Sequence, residues 1–442
     1  MSRHTRPRAH PLIPLLLAAI ACQDPTDPRV GTAPTGVEPG GQSSSVEGEN
    51  VVTTLANDGP GSLRDRVFFA TSGSTITFAE NLAGQTITVS SPILLNQTLT
   101  IEGPASGGIT ISGGGASQVF QASAGITAAT VTLRNLTITG ADAGDLFSGH
   151  GAGIFNGGAT LEIVGSTISG NAGIGVFNAD GDLTIENSTI SGNGQVGVDF
   201  SGGGPVALRH VTITGNARGL QRSGSLLLSN TLLSDNGVDC STAPGAAQNI
   251  FGGVNLDSDE SCGLVPSIDL VGVDPQLGSL ADNGGPTRTH ALPFGSPALD
   301  AFAPCLAVDQ RGVPRPQGPK CDIGAYERVP ISVTVTIGSS GRVDPKTGIA
   351  TISGSMTCSL PLSVELQVGL TQVQMVRRVP VPKESSGTAT VSCTAERTWT
   401  IAVAPPSGSA FLNGTATVEA EALNSDSPSA TSRSVRLFWA KK

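Results

Sequence analysis

Four stretches of the chain can be laid over one another: VTLRNLTITG (131–140), LEIVGSTISGN (161–171), LTIENSTISGN (183–193) and VALRHVTITGN (206–216). A looser fifth follows in LLLSNTLLSDN (226–236). Their first residues stand at 131, 161, 183, 206 and 226, giving steps of 30, 22, 23 and 20. Apolar residues alternate with small polar ones and no helical period runs through them. A repeat this short cannot bury its apolar side alone, whereas stacked copies can. The pattern therefore predicts a stack of β-coils.

A second strand recurs between the copies: Gly153-Ile154-Phe155-Asn156, Gly175-Val176-Phe177-Asn178, Gly197-Val198-Asp199-Phe200, Gly219-Leu220-Gln221-Arg222 and Gly237-Val238-Asp239-Cys240. Side chains alternate across a strand, so Ile154, Val176, Val198, Leu220 and Val238 are expected to form one inward stack. Leu133, Ile163, Ile185, Leu208 and Leu228 form a second, and Ile138, Ile168, Ile190, Ile213 and Leu233 a third. Three inward stacks per coil describe a three-faced solenoid with parallel strands and right-handed connections. Thr137, Thr167, Thr189 and Thr212 form an outward ladder. Asn171, Asn193, Asn216 and Asn236 mark a turn where Asn can adopt the left-handed conformation and pair with the next coil. At about 4.8 Å per rung, about ten coils predict a rod of roughly 45–50 Å.

Composition agrees with this. The 442 residues include 58 Gly, and 14% charge excludes a coiled coil. With aromatics at 4%, the core falls to Ile, Val and Leu. A net charge of −10 without a basic face argues against nucleic acid. No Lys/Arg cluster suited to anionic lipid stands out after residue 22.

At the N-terminus, Arg3, Arg6 and Arg8 precede an apolar run from Leu12 to Ala21, too short to span a bilayer. Ala19-Ile20-Ala21-Cys22 reads either as an A-x-A cleavage site or as a lipobox. Six of the seven Cys fall into neighbouring pairs, Cys240/Cys262, Cys305/Cys321 and Cys358/Cys393, which leaves Cys22 over. Three expected disulfides and one odd Cys at the cleavage site favour an exported lipoprotein lipidated at Cys22.

The chain then divides into a signal peptide with lipobox (1–22), a disordered Pro/Gly/Ser-rich tether (23–50), a parallel β-helix (51–264), its closing segment (265–329) and a β-sandwich (330–442). Ser62-Leu63-Arg64-Asp65 fits a capping box, so a short helix with Leu63, Val67 and Phe68 on one side is read as a lid over the open first coil. The last segment shows six or seven alternating strands with Cys358, Cys393 and Trp399, the pattern of an immunoglobulin-like sandwich. The fold class expected is all-β: a right-handed parallel β-helix followed by that sandwich.

Three motifs resemble a family of bacterial surface proteins built on right-handed parallel β-helices. GPGSLRDRV (59–67) is similar to its CSLREA-type start, with Gly61 in the Cys position and Asp65-Arg66-Val67 where Glu-Ala-Ile is usual. GAGIFN (151–156) resembles its GGGIYN-type coils, which polymorphic outer-membrane proteins share. DPQLGSLADNGGPTRTHAL with GSPALD, DQRG and CDIGAYE resembles the choice-of-anchor segment that closes many of these helices. The resemblance covers about 51–327. It implies display on the outer face of the cell envelope or secretion, and it assigns no reaction.

Parallel β-helices also carry pectin-degrading enzymes. Gly149-His150-Gly151 matches a polygalacturonase triplet, but no Asp-Asp pair precedes it and the position is that of a Gly-rich turn. The outward column Phe155, Phe177, Asp199, Gln221, Asp239 is the candidate ligand-binding site, with Arg218 and Arg222 nearby. Asp199 and Asp239 two rungs apart would stand about 9–10 Å from each other, near the separation of roughly 6.5–9.5 Å used by inverting glycosidases. Outward polar residues on a solvated face are ordinary, however. Asp257, Asp259 and Glu260 inside the Cys240–Cys262 loop are read as a solvated turn rather than a metal site. His290 and Asp309 are expected to fix loops, and Tyr326 to pack the helix terminus. The expectation is a surface protein with an adhesive, glycan-contacting or display role, meeting surface glycans or other envelope proteins, with no catalytic residue, metal or cofactor. The alternative is a polysaccharide hydrolase or lyase using the acidic column.

Overall fold

The protein's structure is a computed structural model that describes residues 50–123, 129–142, 151–200, 204–242, 250–302, 304–360, 362–393, 396–423, 426 and 430–440. From Val51 to Val271 every strand pairing is parallel, and the strands fall on three faces. The first face carries Leu99–Glu102, Thr130–Arg134, Thr160–Val164 and the leading halves of Leu183–Ser191 and Val206–Thr214. The second carries Thr110–Ser112, Thr137–Thr139, Thr167–Ser169 and the trailing halves of the same two long strands. The third carries Ile93–Leu95, Phe120–Ser123, Ala152–Gly157, Ile174–Asp180, Val196–Phe200, Arg218–Arg222 and Cys240–Thr242. The stack makes about eight turns rather than ten. At about 4.8 Å per rung the rod is therefore roughly 38 Å long.

The three inward stacks are present and closed to water: Ile185, Ile190 and Val198 are all 0% exposed. One inward position differs from the sequence expectation. Leu220 stands over Cys240, while Val238 lies outside the core and is exposed. The strands of the first face step by 20 at this coil, from Val206 to Leu226, and the third face follows the same step.

At the Asn turn the left-handed residues are Gly170, Gly192, Gly215 and Asp235, each just before the Asn. Three of the four positions carry glycine, which meets no steric cost at positive φ. The Asn side chains are free to turn inward instead. The amide of Asn171 donates to Asn193 Oδ1 at 2.9 Å, Asn193 to Asn216 at 2.9 Å, Asn216 to Asn236 at 2.9 Å, and Asn236 to Asp239 Oδ1 at 2.8 Å. Burying a polar column is tolerable only because each rung satisfies the next.

At the start of the stack, Ser62 caps the helix Leu63–Phe69 by accepting from the Asp65 backbone N–H. Leu63 and Val67, one turn apart, are buried against the first coil. Phe68 is 77% exposed, contrary to expectation, because a residue five positions after Leu63 sits well round the helix from it.

Residues 273–327 fold back along the second face instead of only plugging the last coil. Thr287 Oγ1 donates to Gly165 O (2.9 Å), Thr167 Oγ1 to Arg288 O (2.6 Å) and Ala325 N to Thr212 Oγ1 (3.0 Å). Gln310 sits at the centre: its Oε1 accepts from Thr189 and its Nε2 donates to Thr167 and Thr287. Thr167, Thr189 and Thr212 of the outward ladder are thus hydrogen-bonded to this segment.

Eight strands follow from Val333–Ile337 to Thr431–Trp439, antiparallel except where Ser340–Val343 runs beside Thr431–Trp439. Alternate residues of seven of them, among them Val335, Ile352, Val368, Ile401, Val418 and Val435, meet in one buried core. One face of a sheet can be this dry only if the sheet folds over on itself, so the module is a small β-sandwich. Trp399 lies in that core with its indole N–H donating to Ser355 O, and Cys358 is bonded to Cys393.

Candidate functional site

The third face holds the column singled out in the sequence. Register puts Phe155 beside Phe177, Phe177 beside Asp199 and Asp199 beside Gln221. The Phe155 and Phe177 rings stand 5.6 Å apart between centroids, tilted by 52°. Phe177 also packs on an outward apolar patch of Ala152, Ile174 and Val196, which fixes the ring. Below the rings, Asp199 is 6% exposed, and Gln221 accepts from Arg218 Nη1 at 3.0 Å. Two part-exposed aromatic rings are followed by a buried carboxylate and an amide held by Arg218, so the column is apolar at one end and polar at the other.

Asp239 is not part of it. Ser241 is the neighbour of Gln221, for the same 20-residue step that places Cys240 under Leu220. Asp239 is fully buried and accepts from Asn236 Nδ2, Ser258 N and Ser258 Oγ. The Asp199/Asp239 carboxylate pair considered for glycoside hydrolysis therefore does not form.

Asp239 instead joins Asp257 and Asp259, with one oxygen of each within 4.8 Å of the others. The expected solvated turn is corrected for Asp257, which is 0% exposed, whereas Asp259 and Glu260 are exposed as expected. Asp257 points inward because it lies beside Leu233, an inward position of the second face. The oxygens are already engaged: Asp257 accepts from Cys262 N and Asp259 N, and Asp259 from Asp239 N and Ser261 N. Burial, then the hydrogen bond to Asp259 and the charge of Asp239, push the Asp257 carboxyl up to about 7, against the pull of the backbone N–H groups. A proton can serve here where a cation would otherwise be needed. A carboxyl raised this way favours the fold below its ordinary pKa and loses that contribution as pH climbs through about 7. Between about pH 5 and about pH 8 the thermal midpoint is expected to fall further in the native protein than in Asp257→Asn, whose amide does not titrate. Parallel melting curves for the two proteins remove this assignment.

The closing segment places its own polar groups in structural roles. Arg315 pairs with Glu327 at 2.7 Å and Arg311 with Asp309 at 2.8 Å, all four side chains buried. Arg311 also lies over the Tyr326 ring, 3.7 Å from its centroid. His290 donates from Nδ1 to Gly278 O (2.7 Å), which leaves Nε2 to accept from Ser191 Oγ (2.8 Å). Sequence reasoning missed Gln310 and the Arg315–Glu327 pair. The DQRG and CDIGAYE strings were the available signal. Cys22 and His150 lie outside the described residues. Cys240–Cys262, Cys305–Cys321 and Cys358–Cys393 are bonded as paired in the sequence, which fits an oxidising, extracytoplasmic environment. No helix among the described residues is long and apolar enough to cross a membrane.

These features define a right-handed β-solenoid, and residues 99–256 match the family model described as a right handed beta helix region. Among solved structures the chain is similar to pectate lyase Pel9A, at 14% identity and a TM-score of 0.36, over 63% of this chain and 96% of that one. It is also similar to tailspike protein gp49 of Acinetobacter baumannii bacteriophage Fri1, a capsular polysaccharide depolymerase. That likeness has 11% identity and a TM-score of 0.26, over 88% of this chain and 86% of that one. Among curated proteins none matches the chain. The solved structures correct one expectation. Fold neighbours that include a lyase and a depolymerase remove the ground for setting this chain apart from enzymes, and the non-enzymatic expectation is withdrawn. At these scores the likeness carries over neither a substrate nor a residue.

Proposed function

We propose that this is an exported β-helix protein of the cell envelope, lipid-anchored at Cys22, whose third face contacts polysaccharide. The observation that carries the reading is the aligned column of Phe155, Phe177, Asp199 and Gln221, in which Phe155, Phe177 and Gln221 are part-exposed. Aromatic faces stack on the C–H side of pyranose rings, while a carboxylate and an amide exchange hydrogen bonds with hydroxyls. Rungs about 4.8 Å apart offer successive contacts to an extended chain. The covered second face supports the same choice, since its outward groups are already bonded to residues 287–325.

Affinity electrophoresis against acidic and neutral polysaccharides tests the reading. One polymer is expected to retard the native protein, and Phe177→Ala to weaken that retardation about tenfold, the scale of one lost aromatic contact. Equal migration of both proteins in every polymer would sink it. Assay of the same mixtures for new reducing or unsaturated ends reads cleavage directly. Mass spectrometry of the membrane fraction checks the anchor; a mature chain starting at Cys22 with a free thiol refutes it.

A further inference from the structure

The longest hairpin of the C-terminal module joins Leu362–Val376 to Val379–Cys393, paired from Leu362 with Cys393 out to Val376 with Val379. The strand Gly414–Ala422 borders it only between Leu366 and Thr371. Beyond that, the Gln372 and Gln374 amides hold Leu412 O and Ala410 O, and the tip projects past the sheet. Its side chains are apolar yet outside the core: Val373 is 61% exposed, Met375 67%, Val376 47% and Val379 58%. Arg377 and Arg378 form the turn at φ of 52° and 73°, positions where Asn and Gly are favoured and Arg is strained. From Leu366 to Lys383 there are three cations, Arg377, Arg378 and Lys383, and no acidic residue, in a chain of net charge −10.

Register brings a second set to the same end. Gly414 lies beside Leu437, so the next two residues, Phe438 and Trp439, reach toward the level of the hairpin tip. Both are exposed, with Arg436 5.6 Å from the Phe438 ring centroid. Strand pairing thus brings the Phe438 and Trp439 rings to the same end as the Arg377-Arg378 turn.

We propose that this end of the module docks on an anionic lipid bilayer. Protruding aliphatic side chains need no complementary groove when the partner is a soft acyl boundary, whereas a folded protein partner would have to supply one. The Arg377 and Arg378 guanidinium groups at the turn match lipid phosphates, and an exposed Trp suits the headgroup level. The proposal stands apart from the polysaccharide reading, because it concerns a different module.

The test uses the full chain with Cys22→Ser, so that no attached lipid contributes. It is mixed with vesicles of phosphatidylcholine alone or with phosphatidylglycerol added. Of the two tryptophans Trp399 is buried in the core, so a blue shift of emission on vesicle addition reports Trp439. Co-sedimentation and the blue shift are expected with the anionic vesicles and not with the neutral ones. Arg377→Asn/Arg378→Gly removes two charges while giving the turn its preferred residues, so folding is not at risk. It should weaken binding roughly tenfold or more, since each basic group near an anionic surface is worth several-fold. Met375→Asp should abolish the blue shift. Equal binding to both vesicle types, no binding to either, or binding untouched by the turn variant would overturn the proposal.

Discussion

Arg315→Met is expected to lower stability by about 3–5 kcal/mol, the scale of breaking a buried ion pair by removing one partner. Arg315 and Glu327 are 0% and 1% exposed at their side chains and meet at 2.7 Å. The guanidinium also donates to Gly324 O and Asp322 O, so it gathers three separate points of the closing segment. Those points lie next to the contacts that hold the segment on the coils, Gly324 N to Asn230 O and Ala325 N to Thr212 Oγ1. Loss of the cation leaves the Glu327 carboxylate buried, with only the N–H groups of Gln317 and Asp322 to accept from. Release is therefore expected to be local first. Limited proteolysis of Arg315→Met should cut between 273 and 327 well before it cuts the coils. Arg315→Met/Glu327→Leu should recover much of the loss, since paired apolar substitutes avoid the desolvated charge. A single variant as protease-resistant as the native protein would refute the strap.

The coil stack was legible because its signal is repeated. Ile138, Ile168, Ile190 and Ile213 each announce the same inward position, so one ambiguous copy hardly matters. Where the count changes, the signal fails: the last GVDC copy looks like GVFN, yet the 20-residue step shifts the register and takes Asp239 out of the column. The covering of the second face was not legible either. Thr167 and Thr189 read the same whether they face water or Gln310, because alternation reports which side of a strand a residue occupies and not what lies beyond it. The hairpin tip shows the same limit, since Arg377 and Arg378 come to the same end of the module as Phe438 and Trp439 only through pairing across strands.

An effect of similar size is expected at Asn193. Its carbonyl oxygen accepts from Asn171 N and Nδ2, and its amide donates to Asn216 Oδ1 and Ile168 O, all in the buried turn column. Asn193→Ala takes the side-chain acceptor from Asn171 N–H and leaves Asn171 Nδ2 only the 3.5 Å bond to Ile138 O. It also removes the amide from Ile168 O, while Asn216 Oδ1 keeps the Asn193 backbone N–H. At about 1–3 kcal/mol for a buried group left unsatisfied, partly relieved by relaxation, a loss of about 3–5 kcal/mol is expected. The column has a direction, each amide donating toward the later coil, so Asn193→Asp separates hydrogen bonding from simple filling of space. A carboxylate keeps both acceptor roles and loses both donor roles, and it would face the oxygens of Asn216 and Ile168. Its charged form is disfavoured and its pKa must rise. Stability of Asn193→Asp should therefore be greatest below the ordinary carboxyl pKa of about 3.9 and be lost as pH rises through the raised value. Asp239 shows why a carboxylate is tolerated at the end of the column, where its oxygens receive N–H and O–H groups and owe no donation. If melting of Asn193→Asp, referenced to the native protein, did not change with pH, the column would be packing and not a directed chain of hydrogen bonds.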